Sequence, residues 1–424
     1  MSAAQQLEHV TCLGCGCGCD DLTVTVQDGR IVEAIPACPV GRAWFGDGSA
    51  PWEVLRAGKP ASFEEALTEA ATILAKSQRR LLVYLAPDAT SQAQRAAVTL
   101  ADLLRATVDS ATSDAAAGGL LAAQRRGRAT ATLGEIRNRG DVLLFWGVDP
   151  NQRYPRFLSR YALEPAGTQV PEGRAGRFVI AVNVGADKGP AGADLTITLE
   201  PSEEIAALSL MRAAALDRPA HDLSPNLARA VALVGRLTGA RYAVLVHDAE
   251  PTAVPRNPLR VEGLIALVQT LNGPTRAALS SLRAGGNRPG AEAVLTWQTG
   301  YPFAVDHSRG YPRYTPGDRG LDRLTRGGFT AALVVGSPDL GEEVASALGG
   351  IDTVVIGPRA TQAPFTSRVA IDTGVAGIHE AGTAYRMDEV PLALRPPLTA
   401  QRSAVQTLQA LTEAVRTRLP GRKV

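Results

Sequence analysis

The chain has 424 residues, 45% of them hydrophobic, enough for two or three domains each with its own core. Its 44 Lys and Arg against 42 Asp and Glu leave a formal charge of +2, which excludes the electrostatic footprint of a nucleic-acid binder or a polybasic membrane surface. No apolar run approaches the roughly 18 residues that span a bilayer, and the opening "MSAAQQLEHV" lacks the charged start and apolar stretch of a signal peptide, so a cytoplasmic protein with a protein or small-molecule partner is predicted.

In chain order, the first informative stretch is "TCLGCGCGCDDL" (11–22), which carries Cys12, Cys15, Cys17 and Cys19; Cys38 follows, and no cysteine comes after it. Where thiols stay reduced, such crowding points to metal ligation over disulfides. The spacing Cys12-x2-Cys15-x3-Cys19, with Cys38 beyond, supplies the four thiolates of a [4Fe-4S] cluster, and Gly14, Gly16 and Gly18 let the chain wrap tightly around sulfur. Cys17 is left over and is expected to point away. Four cysteines are also a complete structural zinc site, and a metal-free knot of buried thiols is the third reading.

"LTVTVQDGRIVEAI" reads as a hairpin turning at Asp28-Gly29. "SFEEALTEAATILAKS" opens with the capping box Ser62/Glu65 before an amphipathic helix. Strand-like "LLVYLA" (81–86), helical "SQAQRAAVTLADLLRA", and strand-like "VLLFWG" (142–147) and "FVIAVNV" (178–184) follow. Beyond a predicted boundary in "LDRPAHDLSPN" (216–226) come strand "YAVLVH" (242–247), helix "PLRVEGLIALVQTLN", and the strand candidates "AVLTWQ", "AALVVGS" (331–337) and "DTVVIG" (352–357). "AVQTLQALTEAVRTRLPGRKV" reads as a final helix. The alternation predicts an α/β protein with doubly wound parallel sheets: a cysteine-bearing cap with its hairpin over 1–56, α/β domains over 57–220 and 221–396, and a C-terminal helix and tail over 397–424.

"CLGCGCGCDDLTVTVQDGRI" resembles the start of the B subunit of formylmethanofuran dehydrogenase, a molybdenum or tungsten pterin protein of the formate dehydrogenase/dimethyl sulfoxide reductase superfamily. "WGVDPNQRYPRFLSRY" (Trp146–Tyr161), "TWQTGYPFAVDHSRGYPRYTPGD" (Thr296–Asp318) and "GIHEAGTAYRMDEVPL" (Gly377–Leu392) resemble its later motifs in the same order. The resemblance implies the molybdopterin-type fold of that superfamily. It also implies a metal-binding cysteine followed by a histidine in the stretch that is here "VDSATSDAAAGGLLAAQ", Val108–Gln124. Counting from Asp109, those positions fall at Ala115 and Ala116, neither of which binds metal or moves a proton. Asp114 or Ser113 could supply only an oxygen ligand in place of the missing sulfur.

What the resemblance then implies is a B-like subunit that has lost its metal–pterin site. A relative of this kind is part of the formyltransferase/hydrolase complex of methylotrophic bacteria, with A-, C- and D-like partners. That complex moves the formyl group of formyl-tetrahydromethanopterin to a methanofuran-like carrier, on the D-like subunit, and releases formate, on the A-like subunit. The chain is expected to be non-catalytic there, with Cys12, Cys15, Cys19 and Cys38 as metal ligands and no molybdenum or tungsten pterin. The alternatives are a working molybdenum or tungsten subunit of the dehydrogenase and an electron-transfer subunit using the cluster alone.

Asp114, His307, Arg309, Thr383 and Arg386 are the candidates for a vestigial cofactor pocket, each with a plain structural reading beside it. His247 ends a strand where α/β proteins present ligand-binding residues, though a hydrogen-bonded structural role is the commoner one. "GGNRPGAEAV" (285–294) suits a phosphate approach or an ordinary loop. Arg153, Arg156 and Arg160 alternate with Tyr154, Phe157 and Tyr161, a mixture typical of interface hot spots but equally of a helix turn with its aromatics inside. There is no Gly-x-Ser-x-Gly elbow, phosphate loop or His-Glu-x-x-His helix, and the five histidines are scattered.

Overall fold

The computed structural model describes residues 3–218, 221–252 and 256–419. Its N-terminal sheet pairs Gln5–Val10, Leu22–Gln27 and Arg30–Ile35 in sequence order, all antiparallel. The hairpin turns where predicted: Asp28 and Gly29 both have positive φ, 49° and 74°, the twist that matches two right-handed strands. The helix Phe63–Lys76 starts from the predicted capping box, with Ser62 accepting from the Glu65 amide and Glu65 accepting from the Ser62 amide.

Two larger sheets form the body. One has nine strands in the order Arg313–Tyr314, Val305–Asp306, Thr107–Ser110, Leu81–Leu85, Ala331–Val335, Asp352–Gly357, Val369–Asp372, Val54–Arg56, Lys59–Pro60. Its five middle strands are parallel and its outer strands antiparallel. The other is wholly parallel, in the order Leu195–Leu199, Phe178–Val184, Val142–Trp146, Ala243–Asp248, Ala277–Leu282. Helices cover both faces of each, so alternate residues of one strand feed different cores. Leu81, Val83 and Leu85 pack on one side, while Leu82 and Tyr84 pack on the other. Among the described residues no helix is long and apolar enough to cross a membrane.

The sheets do not follow one another along the chain. Strands from 142 to 282 build the whole five-stranded sheet, while the nine-stranded sheet joins strands at 54–110 to strands at 305–372. A division at 220 therefore falls inside the five-stranded sheet, between Leu195–Leu199 and Ala243–Asp248. Strand order along the chain carries no record of which strands pair, so an inserted sheet reads like a second domain. One element also differs in kind: "AVLTWQ" lies in the helix Arg288–Thr299, where Pro289 occupies the first turn and Ala291, Val294 and Leu295 are buried at helical spacing. The strand Ala277–Leu282 contains two alanines, two serines and two leucines and none of the β-branched or aromatic residues that mark a strand in the sequence; burial between neighbours makes it one.

The cysteine cap packs on one face of the five-stranded sheet. Cys12, Cys15, Cys17, Cys19, Leu22, Val24 and Ile31 share a core with Leu143, Phe145, Val244 and Val246. The cap and the five-stranded sheet therefore form one hydrophobic unit.

Candidate functional site

The chain leaves the strand Thr107–Ser110 and enters the helix Asp114–Arg126 through a turn capped by Ser113. The Ser113 hydroxyl accepts from the Ala116 amide at 3.2 Å and donates to the Ala249 carbonyl at 3.1 Å, which ties this helix start to the end of the neighbouring sheet. Between them lies a cavity of about 500 Å³ lined by Asp114, Ala115, Gly118, His247, Asp248, Glu250, Arg256 and Arg260. It sits beyond the carboxyl end of Ala243–Asp248, where open parallel sheets place their ligands.

Charge on the cavity wall is matched within the protein. Asp248, buried, pairs with Arg153 at 2.5 Å and accepts the Tyr154 hydroxyl at 3.0 Å. Arg256 binds Asp187 at 3.0 Å, and Arg260 bridges Asp187 at 2.9 Å and Glu204 at 2.5 Å. Glu250 meets the buried Arg283 at 2.9 Å. Asp114 is almost fully exposed and turns to Arg319 at 2.9 Å. Burial, with Arg260 and Arg256 adding to it, pushes His247 down to about 3, so it stays neutral, hydrogen-bonded through Nε2 to Ser281 Oγ at 2.8 Å. A base that weak takes up no proton near neutral pH.

Of the five pocket candidates, the structure brings only Asp114 to this cavity. His307 lies at the opposite end of the strand Thr107–Ser110, because Asp306 pairs antiparallel with Thr107 and the His307 amide bonds the Ala106 carbonyl. Its Nδ1 is 3.3 Å from Asp102, and Arg309 is exposed nearby on the surface loop. Thr383 exchanges two hydrogen bonds with Gln92. Arg386 forks onto Asp388, with both bonds at 2.7 Å, and lies over the Tyr161 ring beside the cysteine cap. Sequence order groups these residues by motif, but the antiparallel edge strand and the terminal hairpin carry their motifs elsewhere.

The thiols form a second cluster. Cys12, Cys15, Cys17 and Cys19 are buried and Cys38 is half-buried; none is in a disulfide. Burial raises Cys12 far above the ordinary thiol range, and the neighbouring Cys15, Cys19 and Cys38 add to it, so these four groups feel one another's charge. The Gly14 amide points at Cys12 Sγ and the Gly41 amide at Cys38 Sγ, each at 3.4 Å. Cys17 does not point away. Its thiol donates to Cys15, lowering Cys15 and holding its own proton, because Gly16 and Gly18 fold the chain back on itself. Among the described residues, no three His, Cys, Asp or Glu side chains are already drawn together around a single ion.

The Arg and aromatic stretch serves this cluster from within. Tyr154, Phe157 and Tyr161 are buried. Arg156 grips Asp21 at 2.7 and 2.6 Å, and Arg160 holds Asp20 at 2.6 Å and Asp21 at 2.9 Å, next to Cys19. Both arginines oppose the rise that burial imposes on Cys19. The donor set fits a cationic metal centre: buried thiols, amides aimed at two sulfurs, and paired arginines beside a third. The sequence missed the buried group around Arg283, in which Glu250 and Glu292 pair with the guanidinium and Thr112, from a third segment, donates to Glu292.

No protein-family model matches the chain. The B subunit of the tungsten-containing formylmethanofuran dehydrogenase 2 of Methanocaldococcus jannaschii is 33% identical over 408 residues, covering 92% of this chain and 93% of its own length. The corresponding protein of Methanococcus maripaludis is 31% identical over 411 residues, covering 93% and 94%. Among solved structures, a chain of the formyltransferase/hydrolase complex FhcABCD from Methylorubrum extorquens, crystallised with methylofuran, superposes with a TM-score of 0.72 at 23% identity, over 86% of this chain and 99% of that one.

Proposed function

Because the chain belongs to the family of formylmethanofuran dehydrogenase B subunits, we propose that it is the non-catalytic, structural subunit of a formyltransferase/hydrolase complex in one-carbon metabolism. In this reading the two sheets belong to the formate dehydrogenase/dimethyl sulfoxide reductase type of fold. The chain holds A-, C- and D-like partners together in the cytoplasm of a methylotroph. Those partners carry the formyl group from formyl-tetrahydromethanopterin through a methanofuran-like carrier to formate.

One observation carries the reading. Ala115, at the position expected of the metal-binding cysteine, opens on the 500 Å³ cavity, and Ala116, at the histidine position, is buried. Every thiol of the chain lies at or before Cys38, inside the cap. Asp114 faces Arg319 and Ser113 is spent on the helix cap, so neither is a ready substitute. Among the described residues, the charge-balanced wall has no unpaired cation to hold an anionic substrate. The names of the curated relatives include tungsten, which speaks for the dehydrogenase alternative; the missing sulfur ligand outweighs it.

Cys12, Cys15, Cys19 and Cys38 are the residues that would hold a [4Fe-4S] cluster, with zinc as the alternative occupant. When bound, such a centre supplies positive charge to thiols whose ionisation burial opposes, and so fastens the cap to the five-stranded sheet. Elemental analysis of the anaerobically purified complex, with a viologen-linked dehydrogenase assay, tests both assignments. Iron at about four per chain without molybdenum, tungsten or dye reduction is expected. Stoichiometric molybdenum or tungsten with dye reduction would overturn the non-catalytic assignment, and zinc at about one per chain would replace the cluster.

A further inference from the structure

We propose that Arg283 is a mechanical coupler: a displacement of the cysteine loop reaches the cavity wall through its buried pairing with Glu250 and Glu292. The inference goes beyond the assignment above and holds whichever metal the thiols take.

The coupling begins at a seam of bare backbone. Cys15 forms an antiparallel bridge with Ala284, and the Gly286 amide donates to the Leu13 carbonyl at 2.8 Å. A Cβ on Gly16 would lie 2.1 Å from the Arg283 carbonyl oxygen, and one on Gly285 would lie 2.4 Å from the Gly14 carbonyl oxygen. No side chain separates the two loops, so neither has slack to absorb a shift of the other.

From this seam the Arg283 side chain runs inward. Its Nε meets Glu250 at 2.9 Å, and its terminal nitrogens meet Glu292 at 2.7 and 3.3 Å. Glu292 also accepts the Thr112 hydroxyl at 2.7 Å. Glu250 is itself part of the cavity wall, and Thr112 immediately precedes the cap of the Asp114–Arg126 helix on the other wall. Arg283 and Glu250 are both buried, as is Glu292. A buried charge left without its partner is far less stable than the intact group, so the three move together or separate at high cost. Cysteine loop, seam, Arg283 and both cavity walls thus form one chain of contacts with no compliant link.

The test applies a push at the seam and reads the cavity by amide hydrogen exchange in the full-length protein. Gly285→Ala presses on Gly14; Cys12→Ser, which disturbs the same loop without added volume, is the second trigger should the first fail to fold. Each is made in the natural background and in one where the charges are replaced together by near-isosteres, Glu250→Gln, Arg283→Met and Glu292→Gln. In the natural background exchange is expected to quicken about tenfold at residues 12–19 and also at 112–118 and 247–250. In the neutral background it quickens at 12–19 alone. Equal quickening of the cavity segments in both backgrounds, or none there in the natural background while 12–19 responds, would overturn the proposal. Metal content measured on the same samples reports separately on the cluster assignment.

Discussion

Glu380 accepts the Ala404 amide at 2.6 Å, capping the final helix from a distant loop, and burial raises its carboxyl to about 7 from 4.5. A carboxyl with a raised folded pKa stabilises the fold below its unfolded value and loses that contribution as pH climbs to about 7. His247 works in the opposite sense: depressed to about 3 from 6.5, it leaves stability intact above 6.5 and erodes it as pH falls. Urea midpoints measured from pH 4 to 8 should therefore separate the two. Glu380→Gln removes a decline with rising pH, and His247→Asn removes a rise, each seen as the difference from wild type. At the same scale, Cys17→Ala should leave the metal content of the purified chain unchanged while Cys15→Ser reduces it; loss in both would place Cys17 among the ligands. Residue spacing shows that the thiols lie close along the chain but not the Cys15–Cys17 contact, which depends on the local turn. Nor does it reveal the pairing around Arg283, whose partner Glu292 also accepts from Thr112, 180 positions away.

Local elements were legible where their chemistry is local. The Asp28-Gly29 turn, the Ser62 capping box and the apolar strands at 81–85, 142–146, 178–184, 243–248, 331–335 and 352–357 stand where the sequence puts them, because each is decided by a few adjacent residues. The helix Arg288–Thr299 and the strand Ala277–Leu282 were not legible, since short apolar or alanine-rich runs take their form from what they pack against. Two serine caps make the same distinction measurable. Ser62→Ala removes a surface cap and should lower stability by about 1 kcal/mol. Ser113→Ala removes a cap and also the bond to Ala249 across the cavity, and should lower it by about 2 kcal/mol. Chemical denaturation of the two variants decides the order, and equal losses would mean that the cross-cavity bond contributes nothing.

For the whole molecule, the resemblance of four motifs anticipated the family, while the pairing of distant strands remained hidden. The cysteine cap and the five-stranded sheet share a core, so tryptophan fluorescence and far-ultraviolet circular dichroism should report one coincident unfolding midpoint for this unit. A separate early transition for the cap would contradict the shared core.

The inserted sheet also sets a timetable. During synthesis its strands, from 142 to 282, emerge in one uninterrupted run, whereas Leu81–Leu85 must wait for Ala331–Val335 to reach it. The thiols of the cap are made before the backbone that closes over them, at 284–286 and Met387. A nascent chain therefore presents these cysteines uncovered until both segments have been made, and the cap reaches its closed form only after the sheet it packs on has emerged.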